Sequence, residues 1–109
     1  MSALVHFITP DNFIEKVISE ERPMLLLCMP RDDDFPSQLR LVQVIAGQHE
    51  SWLKVGLLVD AFLDSFKINL CVAGTPTFLV FHGGKEKGRM LGLVDHRGLE
   101  EFVLEILAD

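Results

Sequence analysis

Three consecutive aspartates, Asp32, Asp33 and Asp34, followed by Phe35, form a concentrated group of ionisable side chains in this sequence. Adjacent carboxylates bind hard cations, but three sequence neighbours cannot all face one ion without a special loop. No glycine-punctuated calcium loop surrounds them. Two other roles remain. The carboxylates cap the helix that follows, since the N-terminal end of a helix favours negative charge. Alternatively they form an acidic lip beside a peptide groove, selecting a basic partner. Cys28 and Cys71 are too far apart for a CxxC pair and make no disulfide framework. Each reads first as a small core hydrophobe, with reactivity as a lone thiol the alternative; the sequence leaves a Cys28–Cys71 disulfide open. His6, His49, His82 and His96 lack metal-ligand spacing, and no Ser/His/Asp order suggests a hydrolase.

The elements that must position these residues follow from hydrophobic periodicity. 'ALVHFIT' reads as a strand. Thr9 and Pro10 open a helix over 10–20, with Phe13, Ile14, Val17 and Ile18 on one face. 'MLLLCM', residues 24–29, is a continuous apolar run and predicts a strand covered on both faces. After the aspartates, Phe35, Leu39, Val42 and Ala46 make one helical stripe, with Ile45 beside it. 'LKVGLLV' (53–59) predicts a second central strand. A short helix around Phe62 to Phe66 follows. 'TFLVFH' (77–82) and 'RMLGLV' (89–94) form a hairpin through Gly83-Gly84, and Gly92 marks a bulge or a close approach. Lys85, Lys87 and Arg89, interrupted by Glu86, read as a solvated turn. Asp95 caps a last helix whose core face is Leu99, Phe102, Val103, Ile106 and Leu107. The order β-α-β-α-β-α-β-β-α specifies an α/β sandwich with a mixed central sheet.

The 109 residues suit a single domain, 1–109, and 49% hydrophobic content argues against a disordered chain. A net charge of −6 argues against nucleic acid and anionic membranes as partners. Residues 1–9 lack the basic and apolar regions of a signal peptide, and no apolar run reaches transmembrane length. The expectation is a cytoplasmic protein with reduced thiols.

The strand–loop–helix run from 'MLLLCM', the segment 'VAGTPTFLVFHGG', Gly92 and the closing 'RGLEEFVLEIL' together resemble the thioredoxin family. The resemblance covers essentially the whole chain, and Gly74 to Gly84 is its most specific part. It implies a three-layer α/β/α sandwich. It also implies that Pro76 is cis and that the backbone at Thr75 pairs with an extended stretch of a bound protein, which needs no cysteine. The family's 'WCGPC' motif aligns with 'RDDDF', so Asp32 and Phe35 take the two cysteine positions. Leu26 stands where the family often has a buried acid, and Cys28 where it has a tryptophan. Dithiol exchange needs an attacking and a resolving thiol, and both are missing there. The resemblance therefore implies a redox-inactive protein-binding adaptor or assembly chaperone without a cofactor. Its groove comprises Arg31, Asp32, Asp33, Asp34 and Phe35, then Ala73, Gly74, Thr75 and Pro76, then Gly92, Leu93 and Val94. The alternative is an atypical thiol–disulfide oxidoreductase acting through Cys71 or Cys28.

Overall fold

The computed structural model describes residues 4–60, 64, 70, 72 and 74–108. Five strands form one mixed sheet: β1 (Val5–Phe7), β2 (Met24–Cys28), β3 (Lys54–Leu58), β4 (Thr77–His82) and β5 (Lys85–Leu91). They lie side by side in the order β1-β3-β2-β4-β5. β3 runs parallel to both β1 and β2, whereas β4 is antiparallel to β2 and to β5. Two α-helices are described, α1 (Phe35–Gln48) and α2 (His96–Ile106).

The apolar run of β2 divides strictly by parity, as the period-2 pleat requires. Leu25, Leu27 and Met29 enter a core with Val42 and Ile45 of α1 and Leu99 and Val103 of α2. Met24, Leu26 and Cys28 enter a second core with Ile8, Val17, Val72 and Leu79. β4 does the same, with Phe78 and Val80 in the first core and Leu79 and Phe81 in the second. On β3, Gly56 leaves the room its neighbours fill: a Cβ there would sit 2.8 Å from Cγ1 of Ile8.

Several elements differ from their sequence reading. The helix expected over 10–20 is a turn followed by a π-helical segment, Ile14–Ile18, in which the Ser19 N–H reaches back to the Ile14 carbonyl at 2.8 Å. Thr9 and Asn12 still make a reciprocal cap: the Thr9 N–H donates to Asn12 Oδ1 at 2.8 Å, and the Asn12 N–H to Thr9 Oγ1 at 3.3 Å. The returning hairpin strand begins at Lys85, because Gly83 (φ 64°) and Gly84 (φ 80°) complete a two-residue turn by themselves. Lys85, Lys87 and Arg89 thus belong to edge strand β5, where charge discourages further pairing. Arg89 is held by Glu86 at 2.7 Å and donates to the Leu70 carbonyl at 2.7 Å. The hairpin's bulge lies at Val80/Phe81, not at Gly92, which falls one residue past β5 with φ 112° and open space where a Cβ would stand. The helix expected around 62–66 lies outside the described residues, save Asp64.

Candidate functional site

The strand register gathers the expected site residues at one end of the sheet. Cys28, the last residue of β2, pairs with Thr77, the first of β4. Thr77 pairs in turn with Leu91, the last of β5, and Cys28 with Leu58, the last of β3. The segments 29–34, 74–76 and 92–95 and Asp60 therefore all leave the sheet from this end. Phe7, the last residue of β1, is two strands away from β2 across β3.

Each segment is fixed locally. The Thr75–Pro76 peptide is cis. Pro76 is buried and Thr75 exposed. Thr77 Oγ1 donates to the Gly74 carbonyl at 2.5 Å, closing the turn into β4. The Pro76 carbonyl accepts from the Gly92 N–H at 2.8 Å, which couples this turn to the segment after β5. Leu91 and Leu93 flank it, 65% and 58% exposed, and Leu91 lies against Gly74. Ala73 and Cys71 lie outside the described residues.

Asp32, Asp33 and Asp34 are all exposed, but none caps α1 through its side chain. Asp34 occupies the N-cap position with φ −88° and ψ −12°, a helical backbone. A side-chain cap calls for an extended N-cap residue, which turns the carboxylate back onto the helix N–H groups. The Asp32 carboxylate instead accepts from the Asp34 N–H at 3.0 Å, and the Asp32 carbonyl accepts from the Phe35 N–H at 3.1 Å. The aspartates are consequently an outward-facing acidic loop. Among the described residues, no three His, Cys, Asp or Glu side chains converge as a metal-holding group.

Arg31 is less free than the sequence suggests. Its Nε lies 2.7 Å from Asp60 Oδ2, its N–H donates to Asp60 Oδ1 at 3.2 Å, and its guanidinium sits 5.9 Å from the Phe7 ring centre. Asp60 holds this position with φ 53°, a conformation that aspartate tolerates better than most residues. Beside Arg31 opens a cleft of about 340 Å³ lined by Phe7, Phe35, Leu39, Gln43 and Leu57. Phe35 thus packs on the first core and also faces this cleft.

Two positioning residues escaped the sequence reading. Asp60 belongs to no sequence motif, and its partner is 29 residues away. Gln38 lies on the apolar side of α1, 5% exposed, and its Nε2 donates to the Val94 carbonyl at 3.2 Å. It ties α1 to the segment following Gly92. A polar side chain one residue before Leu39 in an apolar stripe was the available clue. Gln38 Oε1 is buried without a hydrogen-bond partner.

Cys28 is fully buried, and burial pushes its thiol up to about 12. The nucleophilic thiolate is therefore scarce at neutral pH. No family model matches this chain, and no curated protein matches it. No helix among the described residues is long and apolar enough to cross a membrane.

Proposed function

We propose that this chain is a thioredoxin-like protein without a dithiol centre, and that it binds an extended segment of another protein beside Thr75 and Pro76. Its role on this reading is that of a cytoplasmic adaptor or assembly chaperone. The observation that carries the reading is the register: Cys28, just before the loop 'RDDDF', pairs with Thr77, just after exposed Thr75, so both segments leave the sheet at the same end. An extended peptide gains affinity there from main-chain hydrogen bonds and specificity from adjacent side-chain pockets. The rim supplies both kinds of surface. Leu91 and Leu93 are exposed, the Phe7–Phe35 cleft opens beside Arg31, and three exposed carboxylates follow in the same loop. A partner segment with apolar residues and basic charge complements that arrangement. The lone-thiol alternative rests on Cys71, since Cys28 is a core residue.

The test is site-specific photo-crosslinking in cells from positions 75 and 93, with position 85 on the far side of β5 as control, followed by mass spectrometry. The expected result is one dominant partner crosslinked from 75 and 93 and not from 85, and lost when Asp32, Asp33 and Asp34 are changed together to Asn. Equal capture from all three positions overturns the proposal.

A further inference from the structure

The opposite end of the sheet, where β2 and β3 begin, holds a second group of ionisable side chains. A pocket of about 190 Å³ is lined there by His6, Arg22, Glu50 and Lys54, together with the apolar Ala46 and Leu53. The residues come from β1, the approach to β2, the segment after α1 and the first position of β3. In a chain of net charge −6, this lining carries two cations, Arg22 and Lys54, against one carboxylate, Glu50. Glu20 stands outside that lining, and Lys16, on the π-helical segment, adds positive charge felt at His6. Glu20 serves two cations at once, Arg22 Nε at 3.4 Å and Lys54 Nζ at 3.5 Å. Both contacts are longer than the ~2.7–2.9 Å of a well-made charge-assisted hydrogen bond. The second contact of Arg22, from Nη1 to the Glu50 carbonyl, is also 3.4 Å. A guanidinium has five N–H donors and an ammonium three, so one distant carboxylate leaves donor capacity at both.

We propose that this pocket binds a phosphate-class oxyanion, held by Arg22 and Lys54, with the His6 imidazole as a further donor. A tetrahedral dianion matches two cations set on different elements, and the guanidinium fork suits its paired oxygens. The field at His6 agrees in sign. Burial, then Lys54 and Lys16, hold its pKa below 6.5, with Glu20 the opposing charge and Arg22 a smaller push in the same direction. A bound dianion reverses the Coulombic part and raises that pKa. The site is independent of the peptide groove, so either proposal stands without the other.

The experiment titrates inorganic phosphate, phenyl phosphate, acetate and chloride separately into the full chain at constant ionic strength, following the His6 imidazole by NMR. Saturable binding of both phosphates is expected, with an upward shift of the His6 pKa and with acetate at least tenfold weaker. Arg22→Gln and Lys54→Gln should each weaken phosphate roughly tenfold, the loss of one charge-assisted bond, and Lys85→Gln should change nothing. Thermal unfolding of each variant verifies folding; if one does not fold, the other carries the test. A response matched by chloride, or one that survives both substitutions, overturns the proposal. Acetate binding as tightly as phosphate overturns the ligand class.

Discussion

Gly56 shows how much one missing methyl group matters to this sheet. A Cβ there would meet Ile8 at 2.8 and 3.1 Å and Leu26 at 3.3 Å, all in a filled core. Gly56→Ala should cost about 1–3 kcal/mol by overpacking, read from the midpoint of urea unfolding. Gly88→Ala should cost less, since its nearest contact is the flexible tip of Ile106. Cys28 sets the alkaline limb of stability. Its pKa rises on folding, so the unfolded chain loses the thiol proton first, and stability falls as pH climbs above the ordinary value of 9.0 towards about 12. Cys28→Val should flatten that limb. Iodoacetamide should label Cys28 only after unfolding, and labelling of the native protein at neutral pH would refute the assignment. His6 acts in the opposite pH range. Its depressed pKa means that the unfolded chain takes up the proton first, so stability should fall as pH drops below 6.5, and His6→Gln should reduce that acid sensitivity.

Two aspartates at helix starts illustrate what sequence does and does not specify. Asp95 has an extended backbone (φ −97°, ψ 177°), and its carboxylate accepts from the Gly98 N–H at 2.8 Å. Asp34 is equally well placed in sequence but helical in backbone, and its side chain does not cap. Asp95→Ala should therefore destabilise by about 1 kcal/mol, whereas Asp34→Ala should lie within about 0.5 kcal/mol of the parent in the same unfolding assay. Residue type announces a cap, but the preceding chain decides the dihedral angles. The same distinction runs through the fold. α1 and α2 are legible because their apolar spacing keeps the helical period, and β2 because an unbroken apolar run between prolines suits a strand covered on both faces. The π-helical segment is not, because hydrogen bonds to i−4 and to i−5 leave the same apolar residues on one face over a single turn. At the candidate site, Thr75, Pro76 and the acidic loop could be named from motif alone. The Arg31–Asp60 and Gln38–Val94 contacts could not, since they join positions 29 and 56 residues apart.

At the scale of the whole molecule, the sheet has distinct surfaces at its two ends. One end presents exposed carboxylates with an apolar cleft and exposed leucines, and the other a pocket lined by Arg22, Lys54, Glu50 and His6. Gln38 and the Gly92–Pro76 hydrogen bond brace the first end by tying α1, the turn into β4 and the segment before α2 together. Gln38→Ala should raise amide hydrogen exchange across 92–95 more than across 83–88; uniform acceleration would show only general destabilisation. The parity of β2 has a further consequence. Its alternate side chains are shared between the two cores, as are those of its neighbour β4, and it lies third of the five strands. Neither layer can melt while the other stays dry, for opening either one strips water-excluding cover from the same backbone. Loosening on one face is therefore felt on the other, and the protein should come apart in a single step.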